Sequence, residues 1–140
     1  MIGDLGVIYN LIPFLWKLIQ KLKLKQTLRN QISGSLNELI ENYERFLNVI
    51  YTIQGACCVG MYHQPQIDPE KKANEIINEL QDSYYSLMSS VKKVLRVINT
   101  HRDEFKEIMK NEEWMVIEVM MECFGKEKID IEYLMNDTLI

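Results

Sequence analysis

Four groups of residues have the types to do chemistry. Cys57 and Cys58 are adjacent and lie near His63; His101 stands three residues before Glu104; Glu118 and Glu122 are one helical turn apart; Lys17, Lys21, Lys25 and Arg29 recur at every fourth position. Each group implies a different chemistry, and each can be weighed on spacing alone. A structural zinc site needs cysteines separated by two to four residues, because neighbouring side chains point apart. A nucleophilic thiol needs a helix N-terminus or a nearby cation. Cys57 and Cys58 instead fall at the end of an apolar-periodic segment, where a helix dipole raises a thiol pKa. They read as small buried hydrophobes, as does Cys123.

The histidines and carboxylates are no more suggestive. A di-iron bundle needs two E-x-x-H motifs on facing helices, and neither His63 nor His101 has a Glu three residues before it. His101 and Glu104 read as an ion pair in a helix first turn. Glu118 and Glu122 read as a solvated face. Phosphate-binding glycine loops, G-x-S-x-G and H-E-x-x-H are all missing from the sequence. The expectation is therefore a protein that is not an enzyme, with no cofactor, no metal ligand and no small-molecule substrate.

The cationic series is a possible phosphate-tracking stripe. The whole chain nevertheless carries a net charge of −4, whereas a dedicated nucleic-acid binder shows a basic domain. Lys17, Lys21, Lys25 and Arg29 are therefore read as contacts for an anionic surface, a membrane above all, and not for nucleic acid. Charge is also unevenly placed. Residues 1–35 carry five cations against Asp4, and residues 36–140 carry 11 basic against 19 acidic groups. A basic N-terminal segment lying on an acidic remainder is the simplest reading.

Helices must position all of these groups. The sequence holds only six Gly and three Pro, so long helices are allowed. "SLNE" at residues 35–38 has the form of a capping box, and "THRD" at 100–103 a weaker one. "DPEK" at 68–71 puts a capping Asp before Pro at the first helical position. Asn10 can cap an earlier helix with Pro13 in its first turn. Breakers at Ser33-Gly34, Gly55 to Gly60, Gln64-Pro65 and Gly125 divide these starts. The predicted helices run over about 11–32, 36–57, 69–99, 101–124 and 130–138, with a loop at 58–67.

Two of the predicted helices are ordinary amphipathic rods: 36–57, with Leu36, Leu39, Phe46 and Ile53 on one side, and 69–99, with Leu80, Tyr84, Leu87, Val91 and Ile98 on one side. The other two are unusual. Between Leu5 and Leu22, Asn10, Lys17, Gln20 and Lys21 make only a narrow polar stripe, and the apolar arc around them is far wider than the core of one bundle needs. Beyond Leu22 the apolar face changes sides, so the helix kinks, ends or passes to another neighbour. The segment 101–124 carries two opposed stripes. Phe105, Ile108, Met109, Val116 and Val119 form one; Trp114, Ile117, Met121 and Phe124 form the other. A restart at Asn111-Glu112-Glu113 would reset the phase between them.

These patterns predict an all-α fold: a single domain, a mostly antiparallel four-helix bundle with a short C-terminal helix. Residues 1–32 form an apolar and basic arm and residues 33–140 the amphipathic bundle. The excess apolar surface predicts a non-enzymatic interaction or assembly module, forming a homo-oligomer or binding a protein partner. Its interface would comprise Ile8, Ile12, Leu15, Trp16, Ile19 and Leu22 of the arm with Trp114, Ile117, Met121 and Phe124. The alternative is a peripheral membrane protein with the arm lying in the headgroup plane. A spanning helix needs about twenty apolar residues; the uncharged run from Leu5 to Trp16 is shorter, and Asp4 precedes it where a secretory signal wants positive charge. Three cysteines with one adjacent pair form no disulfide framework, which suits a reducing, cytoplasmic setting.

Overall fold

The computed structural model describes residues 2–55 and 69–125. Five helices account for nearly all of them: α1 (Ile2–Lys21), α2 (Gln26–Gly55), α3 (Pro69–Thr100), α4 (Arg102–Ile108) and α5 (Asn111–Gly125). There is no strand among the described residues. The loop expected at 58–67, with Cys57, Cys58 and His63, and the short helix expected at 130–138 lie outside them.

The first two helices depart from the sequence reading. The break expected at Ser33-Gly34 is found earlier, between Lys21 and Gln26, and α2 runs through the predicted capping box without interruption. Packing explains this. Leu28, Ile32, Leu36 and Leu39 fall on one side of a continuous helix and are all buried. Burying each stabilises by about 1.5–3 kcal/mol, whereas a mid-helix glycine costs only about 1 kcal/mol relative to alanine. A Cβ at Gly34 would meet nothing within 4 Å, so the glycine serves no close contact. Ser35 is buried against the core and caps nothing.

Helix α1 also begins earlier than expected, at Ile2, which leaves Pro13 in its interior. An interior proline removes one backbone bond at a cost of about 3 kcal/mol. Pro13 lies on the exposed side, close to the exposed Tyr9 and Asn10, where water can reach the freed carbonyl. On the opposite side Ile8, Leu11, Leu15 and Leu18 are all buried, and their combined burial outweighs the lost bond.

The change of apolar face at Leu22 marks a helix end. The Leu22 amide still donates to the Leu18 carbonyl at 2.9 Å, and the Arg29 guanidinium (Nη2) donates to the Leu22 carbonyl at 2.7 Å. Arg29 thus reaches back from the first turn of α2 and satisfies a carbonyl at the end of α1. Helices α1 and α2 form a hairpin around this contact.

Helices α2 and α3 make the largest helix–helix interface among the described residues and run antiparallel. Glu38 pairs with Lys93 at 2.7 Å, Asn42 donates to Ser90 and Arg45 pairs with Glu79 at 3.0 Å, so rising numbers on one helix meet falling numbers on the other. Exposed ion pairs of this kind contribute about 0–1 kcal/mol each. They set register, while the stability comes from the buried side chains between them. Phe46 and Tyr84 meet there with ring centroids 5.6 Å apart.

The segment after α3 divides as its two stripes require. Helix α4 ends at Ile108 and α5 starts at Asn111. The α3–α4 boundary falls at His101 as the sequence reads, but not through the expected cap: His101 makes no side-chain cap bond, and the Thr100 hydroxyl donates to the Arg96 carbonyl instead. His101 Nδ1 lies 3.6 Å from Glu104. One continuous set of buried residues joins all five helices.

Candidate functional site

The face of α5 expected to meet a partner is turned into the chain's own core. Trp114, Ile117 and Phe124 are 6%, 0% and 2% exposed, and Met121 is half-buried against them. The physical reason is size. An aromatic side chain removes some 150–250 Å² from water, so of two opposed stripes the one with Trp and Phe gains more from the core. Trp114 is also held by polar contacts: its Nε1–H donates to Glu118 Oε1 at 2.8 Å, and Arg102 and Lys106 of α4 lie over its ring at 5.6 and 5.4 Å.

The opposite face of α5 is left outside. Met115, Val116 and Val119 are 62%, 38% and 56% exposed, and with Met120 and Glu112 they wall a shallow, almost wholly apolar depression. Val116 and Val119 were visible in the sequence as members of the first stripe. Only Phe105 and Met109 of that stripe enter the core, because the turn at 109–110 rotates α5 relative to α4.

The arm is corrected in the same way. Ile8, Leu15, Ile19 and Leu22 are buried in this chain's core, and Ile12 is half-buried against it. The wide apolar arc is therefore covered by the chain's own helices. Trp16 stays 41% exposed and Tyr9, seven residues before it, 65% exposed, both on the outer side of α1. Tyr9 and Tyr51 also lie near the half-buried Tyr43. Burial first, then those two neighbours, push the Tyr43 hydroxyl pKa above its usual value.

The cationic series is not a continuous ladder. Lys17 and Lys21 end α1, Lys25 lies in the connector and Arg29 belongs to α2. Arg29 is engaged with the Leu22 carbonyl, and Lys21 Nζ lies 3.6 Å from Glu113 at the start of α5. Glu113 enters the sequence reading only as part of the Asn111-Glu112-Glu113 restart. Its Oε1 accepts the Lys110 amide at 3.0 Å, closing half of a capping box. That bond is the largest effect and holds the Glu113 carboxyl below its usual range; burial, the next largest, opposes it, and the Lys21 and Lys110 charges add to the lowering.

A second cationic group was also passed over. Helix α3 is enclosed along most of its circumference from Ser83 to Ile98, and its outer stripe is Tyr85, Ser89, Lys92, Lys93 and Arg96. Toward α5 this stripe floors a groove of about 430 Å³ walled by Arg102, Met121 and Phe124. The i, i+4 spacing of Lys92 and Arg96 was the available signal.

No cluster of three or more His, Cys, Asp or Glu side chains is arranged to hold a metal ion among the described residues. No described helix is long and apolar enough to cross a membrane. Comparison of the chain with known protein families, with curated proteins and with solved structures returns no match.

Proposed function

We propose that this chain is a non-enzymatic helical interaction module that assembles with another protein chain, in the simplest case a second copy, through the outer face of α5. One observation carries this reading: Met115, Val116 and Val119 stand exposed on a helix whose other face is already buried. Their i, i+1, i+4 spacing is that of a seam able to receive a facing helix. In this reading α1, α2, α3 and the α4–α5 pair are the four rods of a mostly antiparallel bundle. The antiparallel pairing of α2 with α3 supports that arrangement.

The membrane-surface alternative draws on Trp16 with Lys17 and Lys21 on the outer side of α1. It is the weaker reading, because the leucines and isoleucines that would enter the lipid are buried in the core.

Sedimentation equilibrium over a range of concentrations tests the proposal. Wild type is expected to self-associate or, with a partner present, to form a complex. Val116→Asp with Val119→Asp is expected to abolish assembly while leaving helical content unchanged. Assembly that survives the double substitution would overturn the assignment to this face. Binding of both proteins to anionic vesicles, lost on Trp16→Asp, would favour the membrane reading.

A further inference from the structure

The outer face of α5 has a counterpart on α1. On α5, Glu112, Val116, Val119 and Cys123 follow one another at i, i+4, i+7 and i+11, and all are exposed. On α1, Gly6, Tyr9, Pro13, Trp16 and Lys17 stand along the outer side, every one of them exposed. Residues three and four apart on a helix share a face, so each line is a seam. The step from Glu112 to Cys123 equals the step from Gly6 to Lys17, about 16 Å at 1.5 Å per residue.

The two seams differ in charge. Helix α5 carries Glu112, Glu113, Glu118 and Glu122 and no Lys or Arg. From Leu5 to Lys21, α1 carries two lysines and no Asp or Glu. Lys21 and Glu113 already face each other, but Lys17 and Glu112 have no ion pair among the described residues. Two copies of α5 laid face to face would set carboxylates beside carboxylates, and like charges so juxtaposed oppose association. Laying α5 on α1 of another copy sets Glu112 against a cation instead. It also covers Tyr9 and Trp16, which pairing of α5 with α5 would leave bare.

We propose that the α5 seam is received by the outer side of α1 in a second copy. The helices run antiparallel, with Glu112 opposite Lys17, Val116 and Val119 over Pro13 and Tyr9, and Cys123 opposite Gly6. The Lys21–Glu113 contact brings the near ends of the two seams together in one chain, so a two-fold axis can make the contact twice and close the assembly as a dimer. This inference rests on assembly through α5 and names the surface that meets it.

Sedimentation equilibrium of the full chain and its variants tests it. Trp16→Asp and, in a separate protein, Val116→Asp with Val119→Asp are each expected to raise the self-dissociation constant about tenfold or more, with helical content by circular dichroism unchanged. Tyr9→Asp, at a more exposed position, replaces Trp16→Asp if that variant loses helix. Mixing the α1 variant with the α5 variant is expected to restore a dimer, because one contact in the mixed pair joins an intact α5 to an intact α1. Self-association lost in the α5 variant but unchanged in both α1 variants, or no dimer from the mixture, would overturn the assignment to α1 and leave the α5 face in use. A chain that stays monomeric at every concentration would also overturn it. Self-association that survives in the α5 variant would instead overturn the reading of α5 on which it rests.

Discussion

The two faces of α5 carry similar hydrophobicity and opposite fates. Trp114, Ile117 and Phe124 are closed into the core, while Met115, Val116 and Val119 face outward on the same fifteen-residue helix. Their difference shows that apolar patterning identifies a surface that must be covered but not what covers it. The chain resolves the choice by area: the larger side chains go inside, and the smaller strip remains for something else.

The comparison can be broken most strongly by placing the same charge on each face. Ile117→Asp leaves a charge at a fully buried position and is expected to cost more than about 4 kcal/mol, enough to unfold most marginal domains. Val116→Asp, one residue away, is expected to stay within about 0.5–1 kcal/mol in the monomer. Urea denaturation at low protein concentration measures both, and equal losses would mean that the two faces are not distinct. A finer probe is Trp114→Phe, which removes the donor to Glu118 and part of the ring. It is expected to cost about 1–2 kcal/mol, against no measurable loss for Met115→Leu in the same assay.

The smallest effect is electrostatic and sits at the start of the helix. The Glu113 carboxyl is held below its usual pKa by the Lys110 amide and the Lys21 and Lys110 charges. A depressed folded-state pKa stabilises the fold above the unfolded-state value, and the gain is lost as pH falls through the folded-state value. Glu113→Gln keeps an acceptor for the amide but cannot titrate. Its Tm is therefore expected to fall less than that of wild type between neutral pH and about pH 3. Parallel Tm curves would show that Glu113 contributes nothing to the acid limb.

Much of the helical layout was legible. Pro69 opens α3 where the sequence puts it, the α3–α4 boundary falls at His101, and Asn111 restarts the chain between two stripes of different phase. Those signals are local and strong: a proline, a polar cluster, a change of period. The Ser33-Gly34 break was not legible because its local preference is worth about 1 kcal/mol, less than the burial of Ile32 and Leu36 on either side. The start of α2 was invisible for the opposite reason. Lys25 accepts the first helical bond, from the Arg29 amide, without a capping side chain of its own, so no motif announces it.

The surfaces were less legible than the helices. The arm's wide apolar arc pointed correctly to burial, but burial by Ile8, Leu15, Ile19 and Leu22 within the chain looks the same in sequence as burial by a partner. The Lys92–Arg96 groove was hidden because an exposed cation on a helix ordinarily needs no explanation. Its place beside the half-buried Met121 of α5 is a juxtaposition that a one-dimensional pattern cannot show.

The contact between Lys21 and Glu113 ties the end of the N-terminal helix to the start of the last described one. The α1–α2 hairpin and the α2–α3 pair can each form between chain neighbours, but this joint must wait until α1, α2, α3 and α4 are in place. Contacts of such long sequence separation slow folding far more than they affect equilibrium stability. The molecule should therefore complete its core from the middle outward, with the docking of α5 as the late step. In stopped-flow refolding of a Trp16→Phe variant, the emission of Trp114 would report that final event after helix formation is complete.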